Sequence, residues 1–374
     1  MSVYSKAILL TPPGSAAIAV VRLVGVGVLE FLQKHFSKTA KPGKCTHGKF
    51  RDEQGEIDDP IVVLYHPQKA DVNLHGGPWV VQAFLDLCRS AHFAIFDHLA
   101  VIELIRSALR TKFQSSPERV ADADITLADL FDTDDLIEQE TLAGLQLATT
   151  ELATRELLRQ PAAWRELTHL PEVEKKRHAQ EMLTDYGMVH LLVAPRVAIV
   201  GAPNVGKSTL ANQLFGQEKS IVADMPGTTR DWVGEFANID GLSVLLVDTP
   251  GIRQTVDVIE EQAIVQAGKE AARCDLVIVV LDASRECDAE EKNTMAQFGE
   301  RGIVVANKCD LAKRWEPDAN MIAMNARTGD GLEFLCRAIS GRFGIRTREN
   351  LARCWTIRQA EMLRLIAACG EGPF

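Results

Sequence analysis

The residues with the clearest chemistry lie mid-chain, in GAPNVGKSTL at 201–210. The apolar run VAIV at 197–200 precedes them and helical spacing follows. A glycine-lined turn from a strand into a helix lets backbone N–H groups close on a phosphate, and the helix N-terminus adds partial positive charge. The run that would face a nucleotide is Asn204, Val205, Gly206, Lys207, Ser208 and Thr209. Lys207 supplies a point charge for the β and γ oxygens, and the Ser208 hydroxyl is suited to Mg²⁺.

Further stretches specify which nucleotide. Asp248-Thr-Pro-Gly251 follows the apolar run LSVLLV. An Asp there belongs in the second shell of Mg²⁺, and Gly251 can donate its N–H to a γ-phosphate. Asn307-Lys308-Cys309-Asp310 ends another apolar run. The Asp310 carboxylate can accept from N1–H and N2–H of guanine, a donor pair that adenine lacks. Asn325-Ala326-Arg327 stands where a backbone N–H would meet the guanine O6. Together these imply GTP rather than ATP, in a Ras-like P-loop domain that hydrolyses it. Ile252 follows Asp-Thr-Pro-Gly, where many GTPases carry a glutamine that orients water, and an apolar side chain cannot do that. Gln254, Asp257, Glu260 and Glu261 are all candidates by location. No arginine finger is evident, so another cation must neutralise the transition state. The first switch reads Gly227-Thr228-Thr229-Arg230-Asp231.

These groups need elements to hold them. Residues 196–345 alternate strand-like runs (VAIV, WVGEFANI, LSVLLVDT, LVIVVLDA, IVVANKCD, MIAMNA) with helical stretches, which predicts a mostly parallel, doubly wound α/β sheet. Residues 1 to about 110 mix short apolar runs with Gly/Pro turns and predict a small α+β domain. Between 115 and 190 glycine thins out and Leu127, Leu130, Phe131, Ile137, Leu142, Leu145, Leu157 and Leu158 recur at helical spacing, predicting two or three amphipathic helices. Leu351, Cys354, Trp355, Met362, Leu365 and Ile366 predict one more. The expected domains are therefore 1–112 (α+β), 113–193 (helical, first part), 194–345 (G domain) and 346–374 (short C-terminal helical part), with the G domain inserted in the helical one. Residues 118–140 hold nine acidic side chains and one basic, and the tail is arginine-rich. Two solvated faces are one reading, and a bundle in which the segments face each other is the other.

Composition narrows the class. With 41 Lys plus Arg against 51 Asp plus Glu the net charge is −10, so any RNA contact needs a local basic patch. No run reads as a signal peptide or membrane span, which predicts a cytoplasmic protein without membrane contact. The eight cysteines show no CxxC spacing, which predicts reduced packing thiols and gives a zinc site no support.

GAPNVGKSTL, IVADMPGTTRD, VDTPGIR and NKCD together resemble the tRNA-modification GTPases of the MnmE/TrmE type, within the TrmE-Era-like superfamily. TPPG…AIAVVRLVG and LHGGPWVVQAFLDLC resemble the N-terminal domain of that family, which Era and Der lack. The resemblance implies that Asn204 helps bind K⁺ beneath the GTTRD loop, and that Thr229 ligates Mg²⁺. It implies that Glu260, twelve residues after Asp248, orients the attacking water. With Lys207 and Gly251 these make the catalytic set. It further implies face-to-face pairing of G domains in a homodimer, a formyl-tetrahydrofolate on the N-terminal domain, and a flavoprotein partner in tRNA wobble-uridine modification. The family's GEFTxRAFxNGK stretch is absent, and Cys369-Gly-Glu-Gly stands where the family has Cys-x-Gly-Lys. His75 in LHGGP reads as a satisfied turn histidine or as a folate contact. An Era/Der-like ribosome-assembly GTPase, which would need a basic RNA-binding domain after the G domain, and a regulatory switch are the alternative functions.

Overall fold

The computed structural model describes residues 5–12, 14, 16–53, 55–108, 125–216, 234–247, 273–298, 302–345 and 351–369. The chain divides into two compact units, Met1–Glu140 and Thr141–Phe374.

In the first unit the strands are β1 (Lys6–Leu9), β2 (Ile18–Val24), β3 (Lys44–His47), β4 (Phe50–Arg51), β5 (Glu56–Asp58), β6 (Ile61–His66), β7 (Lys69–His75) and β8 (Ala94–Phe96). The helices are α1 (Val28–His35), α2 (Pro78–Ser90), α3 (His98–Ala108) and the short α4 (Leu127–Leu130). Six strands form one sheet in the order β3-β6-β7-β2-β1-β8, and β4 pairs with β5. Alternation decides its faces. Val21 and Leu23 of β2 and Ala70, Val72 and Leu74 of β7 point into a core closed by Phe31, Phe50, Phe84 and Phe93. On the other face Arg22 is buried and forks onto both carboxylate oxygens of Asp71 at 2.7 Å. Tyr65 donates to the same carboxylate at 2.9 Å, and burial beside that charge pushes its phenol pKa up to about 12.

The acidic stretch from residue 125 onward meets this network. A capping box on Thr126 starts α4. Asp129 then pairs with Lys6, Asp132 with Arg22 and Lys69, and Lys69 also donates to the carbonyls of Ala128 and Phe131. In the second unit Arg353 of the tail is buried near Glu156 and Asp185.

Helix α5 (Leu136–Leu145) contains the division between the units. In the second unit α6 (Glu151–His169), α7 (Glu172–Thr184) and α8 (Gly187–Leu192) precede the sheet. The expected two or three helices are therefore five, α4 to α8, among the described residues. Local signals cut one apolar periodicity into pieces: Thr150 caps α6, Pro171 sits at the cap of α7, and Gly187 opens α8.

Next come β9 (Arg196–Val200), α9 (Lys207–Phe215), β10 (Gly234–Ile239), β11 (Leu242–Val247), β12 (Leu276–Asp282), α10 (Ala289–Phe298), β13 (Gly302–Asn307), β14 (Ile322–Ala323), α11 (Leu332–Arg342) and α12 (Ile357–Cys369). The sheet order is β10-β11-β9-β12-β13-β14, parallel except for β10. β12 is buried along its whole length, as a strand covered on both faces must be. β9 lies where the strand order reverses, so the loop leaving it opens at the crevice such sheets use for ligands. Around the tail, Trp164 Nε1 donates to the Arg353 carbonyl at 2.9 Å, and the Arg353 N–H donates to Gln160 Oε1 at 2.7 Å. Among the described residues no helix is long and apolar enough to cross a membrane.

Candidate nucleotide site

The turn after β9 is shaped by what surrounds it. A Cβ on Gly201 would strike the Val280 carbonyl, and one on Gly206 would strike Nδ2 of Asn307. Both glycines have positive φ, 150° and 104°, as does Asn204 at 62°. Asn204 is exposed at the apex of the turn, and Val205 is buried beneath it. Gly206 caps α9 without a side-chain hydrogen bond, so the first-turn N–H groups can serve a ligand. Lys207 Nζ donates to the carbonyls of Gly201 and Ala202, each at 2.9 Å, which holds the ammonium over the turn. Burial lowers its pKa from the usual lysine value. Ser208 and Thr209 follow in the first turn of α9, half-buried and exposed respectively.

The loops after β13 and β14 are stitched to this turn by one amide. Asn307 Nδ2 donates to the Val205 carbonyl at 2.7 Å, and Oδ1 accepts the Ala326 N–H at 2.9 Å. Lys308 adopts positive φ (63°), uncommon for a residue with a Cβ and typical of sites where function sets the backbone. The Cys309 N–H then donates to the Met324 carbonyl, and Asp310 is left exposed. Asn325 closes its own turn. Its Oδ1 accepts the Arg327 N–H at 3.0 Å, and it bridges to Asp330. The structure therefore brings Asn204, Val205, Gly206, Lys207, Ser208, Thr209, Asn307, Lys308, Asp310, Asn325, Ala326 and Arg327 to one edge of one sheet, at the C-terminal ends of its strands. Thr229, Asp248, Gly251 and Glu260 lie outside the described residues.

The family described as "50S ribosome-binding GTPase" matches residues 196–308, and "GTP-binding protein TrmE N-terminus" matches residues 7–114. The tRNA modification GTPase MnmE of Thermotoga sp. (strain RQ2) is 31% identical over 364 residues, covering 88% of this chain and 80% of the relative. That of Aquifex aeolicus (strain VF5) is 30% identical over 404 residues, covering 95% and 85%. That of Azoarcus sp. (strain BH72) is 33% identical over 370 residues, covering 87% and 78%.

The chain belongs to the MnmE family of tRNA modification GTPases. It is a GTP-hydrolysing enzyme, with a P-loop G domain and a separate N-terminal domain of the TrmE type. A GTPase of this family implies Mg²⁺, and the donor chemistry fits. Ser208, half-buried in the first turn of α9, would offer its hydroxyl as the hard oxygen donor that Mg²⁺ takes.

Asp282 was not singled out from the sequence. It ends β12, its carboxylate is nearly buried, and it binds Lys308 Nζ at 2.6 Å and Ser284 Oγ at 2.6 Å. Burial alone would raise its pKa, but the hydrogen bonds from Lys308 and Ser284 outweigh burial and hold it below the usual carboxylate range. One signal was available: an acid closing an apolar strand faces the crevice end of a parallel sheet.

Proposed function

We propose that this GTPase works in tRNA wobble-uridine modification, in the cytoplasm, as a homodimer joined by a flavoprotein partner. The observation that carries the reading is the match to the TrmE N-terminus and the match to a G domain within one chain, since Era/Der-type GTPases lack the former. GTP would sit with its phosphates on Asn204 to Thr209, with Mg²⁺ on Ser208 and Thr229 and with Asp248 behind it. Its guanine would sit on Asp310, between Lys308 and the 325–327 turn. Asn204 would help hold K⁺, Glu260 would orient the water and Gly251 would meet the γ-phosphate. The exposed apex position of Asn204 supports an outward-facing cation role. A formyl-tetrahydrofolate on the N-terminal domain is the proposed one-carbon cofactor.

The domain plan belongs to the same proposal: 1–112, 113–193, 194–345 and 346–374, with the G domain inserted in a helical domain. The hydrogen bonds that tie α6, before the sheet, to residue 353, after it, support the insertion.

The test is nucleoside mass spectrometry of tRNA from cells lacking the chain, complemented with the parent or with Lys207→Ala. Loss of wobble-uridine modification, restored by the parent and not by the variant, is expected. Unchanged modification in the deleted cells would overturn the reading.

A further inference from the structure

Three strand ends of the N-terminal unit converge on imidazole and carboxylate groups. Asp58 closes β5 and Asp59 follows it, His75 closes β7, and His47 closes β3. One oxygen of each carboxylate faces a single atom. Asp58 Oδ1 lies 2.7 Å and Asp59 Oδ1 lies 3.7 Å from Nδ1 of His75. The remaining oxygens are engaged elsewhere. Asp58 Oδ2 accepts the His75 backbone N–H at 2.9 Å, and Asp59 Oδ2 lies 3.6 Å from Nε2 of His47. The donor atoms of Asp58, Asp59 and His75 all fall within 4.8 Å of one another.

We propose that Asp58, Asp59 and His75 bind a divalent transition-metal ion of the zinc type, with His47 orienting Asp59. Bonds of about 2.0–2.2 Å to nitrogen and oxygen place ligand atoms roughly 3–3.5 Å apart around such an ion. The two distances to His75 Nδ1, 2.7 and 3.7 Å, bracket that spacing, and an ion would replace the proton of the Asp58–His75 hydrogen bond and draw the set, now within 4.8 Å, together. The mixed donor set selects the class. Imidazole with carboxylates suits Zn²⁺ and Co²⁺, whereas Ca²⁺ needs six or more oxygens and Mg²⁺ keeps most of its water. The Asp58 side chain is 6% exposed and fixed by the backbone, giving a rigid anchor. The side chains of Asp59 and His75 are 46% and 68% exposed, which gives the ion an entry path and leaves a coordination position for water. Asp58 is held from behind by the His75 backbone N–H, and Asp59 has His47 within ion-pair reach, an arrangement of the kind that orients ligands in protein metal sites. Cysteine spacing could not announce this site, because it uses no cysteine and its donors come from strand ends distant in sequence.

The test uses the full chain, stripped with chelator and saturated with GDP and Mg²⁺ so that the G domain is occupied. Zn²⁺ is titrated calorimetrically and Co²⁺ by visible absorption, for the parent and for Asp59→Asn, His75→Asn, His47→Asn and Cys45→Ser. The parent is expected to take up one Zn²⁺ in excess Mg²⁺. Affinity should fall at least about tenfold in Asp59→Asn and His75→Asn, less in His47→Asn, and not at all in Cys45→Ser. Asp59→Asn alters a half-exposed carboxylate and keeps its shape, so it remains decisive if His75→Asn misfolds. Parental Zn²⁺ affinity in Asp59→Asn, or loss of binding in Cys45→Ser, overturns the site. So does the absence of Zn²⁺ binding by the parent, which would leave His75 as a histidine satisfied by Asp58 alone.

Discussion

Asn307 and Asp310 sit three residues apart and do different work. Asn307 is buried, and its amide ties the turn after β9 at Val205 to the loop after β14 at Ala326. Truncating it strands two buried backbone partners, at about 1–3 kcal/mol each. Asp310 is exposed, so its replacement removes recognition and spares the fold. Asp310→Asn is therefore expected to keep the parental melting temperature and lose about 30- to 1000-fold in GDP affinity, roughly 2–4 kcal/mol. Asn307→Ala is expected to lose both affinity and melting temperature. Calorimetric titration beside thermal melts separates the two, and equal GDP and ADP affinities in the parent would sink the guanine assignment. Glu260 carries the sharpest proposed role. Ile252 cannot orient water, and Glu260→Ala should lower kcat by about 10²–10³ with nucleotide Kd nearly unchanged, because the contact strengthens only in the transition state. Single-turnover hydrolysis by alanine variants of Gln254, Asp257, Glu260 and Glu261 decides among them; a Glu260 variant at the parental rate removes it.

At the scale of elements, the short helix α8 sets a pH limit on the second unit. His190 is packed edge-on against the Phe343 ring, with centroids 4.9 Å apart. Burial depresses its pKa below 6.5, against the opposing pull of Asp275 and Asp185. The unfolded chain thus takes up a proton near pH 6.5 that the folded chain refuses. Its contribution to stability is whole above that pH and is lost as pH falls through the depressed folded value. Melting temperature should drop on acidification below about 6.5, less steeply in His190→Gln, in thermal melts at constant ionic strength. His75 is shifted the opposite way by Asp58, but on the surface, so the comparison is variant against parent. The same elements show what was legible. VAIV, LSVLLV, LVIVVLD and IVVAN were readable because parallel strands buried on both faces are continuous apolar runs. MIAMNA shrinks to Ile322–Ala323 at the sheet edge, where one partner strand supplies all the pairing. The helices of residues 127–192 outnumber the two or three that periodicity predicts, because Thr150, Pro171 and Gly187 start new helices without breaking the apolar period. Lys207, Asn307 and Asp310 announce themselves by motif, whereas Asp282 and the Asp58–His75 pair depend on which strands become neighbours.

At the scale of the whole molecule, hydrolysis poses a charge problem that one G domain has to solve with the groups it owns. The γ-phosphoryl transition state spreads negative charge that Lys207 and Mg²⁺ would neutralise in part, and no arginine finger is evident in the sequence. The chain is itself acidic, with a net charge of −10, so no general positive field compensates. The proposed K⁺ would supply the missing charge. Asn204 is exposed in the turn after β9, with positive φ, and its amide oxygen would be a ligand for such an ion. A weakly hydrated ion of potassium size can use that oxygen with those of the 227–231 loop, and pairing of two G domains would shield the ion from water. Such preorganised electrostatic contacts are worth about 10²–10³ in rate. Hydrolysis should therefore be at least about tenfold faster in K⁺ than in Na⁺ at equal ionic strength. Asn204→Ala should erase most of the difference, and light scattering should show dimeric G domains with GDP and a transition-state mimic in K⁺ but not in Na⁺. Equal rates in the two salts, with one oligomeric state throughout, would place the neutralising charge on the protein and remove potassium from the mechanism.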